Sequence, residues 1–150
     1  MKFNHRAVLS GLLVAGGLAV ADTKMSFSDL PARVQTASKE QLHGAQIVGA
    51  SSEKEDGRTT YEVETMLNGK SRDLSFDGEG RLLEVEQQID LDSIPGAAKA
   101  ALERRSAGGS IRKVESVTAR GSVSYEASVI TKSGKHTEIT VNADGTPHRD

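Results

Sequence analysis

Cysteine is absent from this 150-residue chain, and so is tryptophan. The first absence excludes disulfides, thiolate metal sites and a cysteine nucleophile together. The second, with only three Phe and two Tyr, leaves a core to be built from Val, Ile, Leu and Ala. It also leaves few of the aromatic anchors that dominate tight protein interfaces. No large excess of one charge exists: 19 Lys and Arg stand against 21 Asp and Glu. That balance argues against a nucleic-acid binder, which needs a basic patch. Catalytic signatures are missing as well. No Ser sits in a G-x-S-x-G elbow. No Lys-Ser/Thr follows Gly108-Gly109 to make a phosphate loop, and His43, His136 and His148 share no metal-ligand spacing. His43 follows a predicted helix, where a cationic ring suits the dipole; the other two read as solvent-exposed.

What is present begins at the N-terminus. Lys2, His5 and Arg6 form a basic start, Ala7 to Val20 carries no charge, and Ala19-Val20-Ala21 places small residues where a signal peptidase reads. The apolar run of about 14 residues is short of the roughly 20 needed to span a bilayer, and no Cys is available for a lipid anchor. Residues 1–21 are therefore expected to be a signal peptide. The mature chain, residues 22–150, is expected to be periplasmic or secreted, with no membrane span. Removing Lys2 and Arg6 from the 19 basic residues leaves 17 against 21 acidic ones, a net charge of −4.

The mature chain shows internal similarity at an offset of about 64 residues. Asp29-Leu30-Pro31-Ala32 resembles Ser93-Ile94-Pro95-Gly96. Tyr61-Glu62-Val63 resembles Tyr125-Glu126-Ala127, and Asn68-Gly69-Lys70 resembles Ser133-Gly134-Lys135. Two copies of one unit are predicted, at about 28–89 and 92–150. Each reads as a helix followed by antiparallel strands. In the first, Ser28 or Asp29 is the predicted cap, Pro31 lies in the first turn, and Gly44 is the stop. In the second, Ser93 caps, Pro95 lies in the first turn, and Gly108-Gly109 ends the helix. Strands are predicted at 47–53, 60–67, 70–76 and 82–88, then at 111–119, 122–131 and 135–141. Asn68-Gly69 between two alternating runs is a strong hairpin signal. The last strand of the second copy is expected to be stunted or absent. The expected fold class is α+β: a tandem repeat of a helix followed by an antiparallel β-meander, with the helices packed on one face of the sheet.

Leu30-Pro31, Tyr61-Glu62-Val63, Asn68-Gly69-Lys70, Phe76-Asp77, Gly80 and Leu82-Leu83 together give a pattern that resembles the PepSY-like family of small bacterial periplasmic proteins. That family is grouped by fold with the β-lactamase inhibitory protein. The resemblance implies a non-enzymatic binding module, one that restrains a peptidase or another hydrolase through its open sheet face.

The residues themselves point to the same face. Glu62 and Glu64, and Glu84 and Glu86, have the period-2 spacing that puts each pair on one face of a strand. Asp73 falls on the strand between them. These five residues are the predicted partner-binding site, facing solvent and attracting a cationic peptide or a basic protein. The alternative is a sensor or buffer of the envelope that takes a small ligand or divalent cations on the same acidic face. No catalytic residue, cofactor or dedicated metal ligand is predicted. The acidic turns at Asp77–Gly80 and Asn142–Gly145 are too short for a calcium loop of the twelve-residue kind, and read as tight turns.

Overall fold

Two Pro residues decide where the helices begin. Pro restricts the residue before it to extended backbone. Leu30 and Ile94 are accordingly extended (ψ 151° and 162°), and the helices start only after Pro31 and Pro95. In the computed structural model, which describes residues 22–55 and 57–149, these are α1 (Ala32–Gln41) and α2 (Gly96–Arg105). Ser28, Asp29 and Ser93 are therefore not caps. They lie in single 3₁₀ turns, Phe27–Asp29 and Leu91–Ser93, that precede each Pro. The first helical hydrogen bonds are accepted by the Pro carbonyls themselves, from Gln35 N and Lys99 N, each at 3.0 Å. The signal peptide predicted over residues 1–21 lies outside the described residues.

Eight strands follow the chain in order: β1 (Thr23–Met25), β2 (Gln46–Glu55), β3 (Arg58–Leu67), β4 (Lys70–Asp77), β5 (Leu82–Ile89), β6 (Ser110–Ala119), β7 (Ser122–Ile130) and β8 (His136–Asn142). They form one antiparallel sheet in which each strand pairs with its sequence neighbour. The expected α+β tandem repeat of a helix and a meander is thus corrected. The fold is a single eight-stranded open sheet, mostly β, carrying two ten-residue helices. The physical reason lies at the predicted boundary between copies. There β5 pairs with β6 over six registered residues, from Glu84↔Ala119 to Ile89↔Val114. An exposed strand edge is a row of unsatisfied N–H and C=O groups, and this pairing satisfies both edges at once. In addition β1, unpredicted, extends the sheet beyond β2.

Turn chemistry fixes the registers. Asn68-Gly69 and Arg120-Gly121 both have positive φ at each residue, as a two-residue type I′ hairpin requires, and they join β3 to β4 and β6 to β7. After β8 the chain forms an isolated bridge between Val141 and Pro147, and His148 N donates to the Thr140 carbonyl at 3.2 Å.

Alternation along each strand then sorts the side chains. On one face Val63, Leu74 and Phe76 pack with Leu30 and Val34 beneath α1. Ala127, Val129 and Val141 pack with Ala98, Ala101 and Leu102 beneath α2. These are two clusters under one sheet, and Phe76, Leu74 and Leu102 are fully buried. The turns at the strand ends lock the helices in place. A Cβ at Gly80 would lie 2.7 Å from the Arg33 carbonyl oxygen, and one at Gly145 would lie 2.6 Å from that of Ala97. Both glycines have positive φ, so each is required twice over. Arg72 adds a polar clamp, donating from Nη1 to the Gln41 carbonyl at the end of α1 at 2.8 Å. With both helices on this face, no described helix covers the other.

Candidate functional site

The face opposite the helices carries the acidic side chains. Register brings Glu64, Asp73 and Glu86 into one row across β3, β4 and β5, because Glu64 pairs with Asp73 and Asp73 with Glu86. Glu62 and Glu84 stand in the next row, separated by Ser75. All five sequence-predicted residues therefore share one face. The acidic surface then continues beyond them. Glu115 on β6 is registered with Gln88 on one side and with Glu126 of β7 on the other. Glu138 of β8 lies opposite Ser128.

These carboxylates are not the freely solvated groups that the alternation suggests. Glu62, Glu86, Glu115 and Glu126 are only 4%, 7%, 2% and 7% exposed. Strands about 4.8 Å apart place long side chains on neighbouring strands in contact, and the chains of this face screen one another from water. The expectation of a solvent-facing site is corrected on this point.

Among the described residues no buried side-chain oxygen lacks a hydrogen-bond partner. Glu62 Oε2 accepts from the Ser51 hydroxyl at 3.2 Å. Asp73 Oδ1 accepts from the backbone N–H of Thr65 at 3.1 Å. Glu126 Oε2 accepts from the Thr140 hydroxyl at 3.0 Å. Glu115 Oε2 pairs with the Lys113 ammonium at 2.8 Å. Glu64, less buried, lies across Gly49 and pairs with Lys24 at 2.7 Å. Two lysines thus pair with carboxylates of the face.

Crowding like charges away from water moves their titration. Burial first, then the charges of Asp73 and Glu64, raise the Glu62 carboxyl to about 7. Burial raises Asp73 to about 6 against the pull of the Thr65 N–H, with Glu115 and Glu64 pushing it further. Burial and the neighbouring Glu126 raise Glu138 to about 7. Glu86 is pushed well above the carboxylate range by burial and by Glu115, Glu84 and Glu126. Lys113 responds in the opposite sense. Burial opposes its charge, but Glu115, Glu86 and Asp73 together outweigh that effect and raise its pKa.

Asp73, Glu86 and Glu115 form one group. One carboxylate oxygen of each lies within 4.8 Å of the others. Sequence reasoning found the first two and missed Glu115, and with it Lys113, Glu126 and Glu138. Lys113 and Glu115 do have period-2 spacing, but their strand mixes charge with Val117, which is buried on the same face.

The turn carboxylates serve the turns. Asp77 Oδ1 accepts from the N–H groups of Glu79 and Arg81, and Asp144 Oδ1 from Thr146 N and Oγ1. His148 Nδ1 lies 2.8 Å from Asn142 Oδ1. The concave features of the described residues are shallow. One lies between α1 and the β4–β5 turn, lined by Arg33, Thr36, Glu40 and Glu79, and another is lined by Arg105, Thr131, Lys132 and Ile139.

No family model matches the chain, and no curated protein matches it. Solved structures do. A protein from Bacteroides eggerthii named as periplasmic superposes with a TM-score of 0.64 at 18% identity, over 80% of this chain and 86% of that one. A DUF2874 family protein from Bacteroides uniformis gives 0.63 at 21%, over 79% and 86%. A BLIP-like protein from Bacteroides fragilis gives 0.56 at 17%, over 78% and 82%. At these identities the likeness is one of fold, and none of these matches is named as a PepSY protein.

Proposed function

We propose that this protein is a non-enzymatic binding module of the cell envelope, periplasmic or secreted, that takes a basic segment of a protein or peptide on its acidic sheet face. One observation carries the reading: the sheet concentrates carboxylates of β3 to β8 on the face that no described helix covers. A cationic side chain laid there would meet Glu64 and Glu84 at the accessible level and relieve the repulsion among the buried groups below. Likeness of fold to a BLIP-like protein and to a protein named as periplasmic supports both the class and the compartment. The shallow relief of the surface and the missing nucleophile-and-base constellation support a role without catalysis. Whether the partner is a peptidase or another hydrolase restrained by binding is the finer part of the proposal.

The face offers no aromatic anchor. Phe76 is buried in the core, and Tyr61 and Tyr125 pack against the two apolar clusters. Binding would therefore be electrostatic, with steep dependence on salt. The test is affinity for a defined lysine- and arginine-rich peptide, measured for the wild type and for the Glu64→Lys, Glu84→Lys double variant, with circular dichroism to check folding. The reading requires saturable wild-type binding that weakens with salt and is lost in the folded variant. Equal binding by both proteins would remove the site assignment.

A further inference from the structure

Each end of the sheet carries part of a strand that its middle carries whole. The whole strand is β5. It begins on β4 with Phe76↔Leu82, and its last three residues, Gln87, Gln88 and Ile89, pair with Ser116, Glu115 and Val114 of β6. At one edge β1 repeats that last part: Thr23, Lys24 and Met25 pair with Ser52, Ser51 and Ala50 of β2. A single 3₁₀ turn and then a Pro-led helix follow β1, as they follow β5. At the other edge the chain after β8 repeats the first part. Gly145 N donates to the Asn142 carbonyl at 2.9 Å, as Gly80 N does to that of Asp77 at 3.0 Å, and Pro147 comes to lie opposite Val141.

Both edges are left partly uncovered. β1 pairs only with Ala50 to Ser52 of the ten-residue β2. On β8 the Thr140 carbonyl accepts from His148 N, so the backbone groups of Thr140 face away from β7. By the alternation of an antiparallel ladder, those of Glu138 and His136 do the same. Among the described residues no strand lies beyond β8 to take them up. Such a row of N–H and C=O groups is a template for another strand.

We infer that copies of this chain assemble head to tail, β1 of one copy adding antiparallel to the outer edge of β8 of the next. The contact reproduces between molecules the β4–β5–β6 junction found inside one. Thr146 to His148 of the first copy would continue end to end into Thr23 to Met25 of the second, as Leu82 to Glu84 continue into Gln87 to Ile89 within β5. The junction also gives the register. Arg72, two residues before the buried Leu74, pairs with Gln87. Thr137 stands two residues before the buried Ile139, and Thr23 holds the place of Gln87. Thr23 of one copy is therefore set opposite Thr137 of the next.

This register matches both faces of the sheet. Thr23 and Met25 fall on the helix side with Thr137 and Ile139. Lys24, which pairs with Glu64, falls on the carboxylate side, diagonal to Glu138. Asp22 would face Glu138 as Glu86 faces Asp73. A second copy is the occupant because one chain supplies both halves of the junction. The two edges differ, so the contact is heterologous, and each addition leaves an open edge for the next. The inference does not depend on the partner reading, since it uses the edges of the sheet and not its face.

The absence of cysteine makes the test clean. Thr23→Cys and Thr137→Cys, both at exposed positions, are purified from the envelope after export, mixed and mildly oxidised. Opposed residues lie within disulfide reach. The mixture is expected to give a disulfide-linked pair at least about tenfold faster than either variant alone. Ser133→Cys, four residues from Thr137 and about 13 Å along the strand, is the control partner for Thr23→Cys. Equal cross-linking with the control would overturn the inference. So would equal cross-linking of Thr137→Cys with itself, which would mean a twofold pairing of β8. Light scattering on the wild type is the second measurement. A contact this small is expected to hold with a dissociation constant of about 0.1 mM, so the mean mass should rise with concentration and pass that of a dimer. Glu138→Pro removes an outward N–H and should keep the protein monomeric, with circular dichroism to check folding. A wild type that stays monomeric to about 1 mM would refute the assembly whatever that variant does.

Discussion

Glu62→Gln should make the protein more stable, and only at neutral and alkaline pH. In the folded chain this carboxyl is 4% exposed, faces Asp73 and Glu64, and has the Ser51 hydroxyl as its donor. Burial and those two charges raise it from an ordinary 4.5 to about 7. Between those values the folded state keeps a proton that the unfolded state has lost. The unfolded state therefore binds fewer protons, and stability falls as pH rises through this window. Below about pH 4 both states are protonated and the effect vanishes; above about pH 8 both are ionised and it is complete. At ~1.36 kcal/mol per pH unit, the displacement from 4.5 to about 7 amounts to about 3 kcal/mol.

A carboxamide has nearly the same shape, can still accept from Ser51, and never ionises. The variant should gain up to about 3 kcal/mol at pH 8 and close to nothing at pH 4. Urea unfolding at pH 4, 6 and 8, followed by far-ultraviolet circular dichroism, measures the difference directly. Asp73 and Glu138 are raised in the same sense, to about 6 and about 7. The wild type itself should therefore lose stability from pH 5 to pH 8. A difference between variant and wild type that stayed constant with pH would refute the reasoning, as would a variant less stable at pH 8.

Gly145→Ala should cost about 2 kcal/mol or more, because the new Cβ meets the Ala97 carbonyl at 2.6 Å and the residue keeps a positive φ; thermal denaturation reads the loss. Leu102→Ala, at a fully buried position beneath α2, should cost about 2–5 kcal/mol. Because β5 and β6 join the two apolar clusters into one sheet, Tyr61 in one cluster and Tyr125 in the other should report the same unfolding midpoint in that variant. Two separate midpoints, resolved with single Tyr→Phe variants, would show that the halves fold independently.

Local chemistry was largely legible in the sequence. Alternation in Thr60 to Leu67 and Lys70 to Phe76, with Asn68-Gly69 between them, specified a hairpin and its faces. Leu30-Pro31 and Ile94-Pro95 marked the two helices, displaced only because a residue before Pro cannot be helical. What pairs with what across a long connection was not legible. The similarity between the two halves suggested two units, and nothing in the order of residues reveals that Glu84 to Ile89 meets Val114 to Ala119 after an intervening helix. β1 is three residues long and too short to show a period. Irregularities hid more: the register slips between Ile47 and Gly49 and between Ile111 and Lys113, so a strict two-residue count loses the face.

The same limits explain the site. Glu62, Glu64, Glu84 and Glu86 were visible as pairs because each strand repeats the residue type two positions on. Glu115, Glu126 and Glu138 come one to a strand, and only the registers that bring Glu115 beside Gln88 and Glu126 gather them. Burial was less legible still, and it bears most on function. A face shaped for solubility alone would leave its carboxylates in water, where charge is retained at little cost to the fold. Here Glu86 and Glu115 are almost entirely enclosed, one lysine stands beside three carboxylates, and titration is displaced upward at four positions of the face. Such an arrangement subtracts from stability at neutral pH whenever no counter-charge is bound. Gln or Ser in place of Glu86 would keep the fold polar without that cost. Basic side chains of the proposed partner would offset that cost, since a ligand that binds only the folded state adds its binding free energy to stability. Solubility gives no reason to enclose these carboxylates, whereas a bound positive charge does.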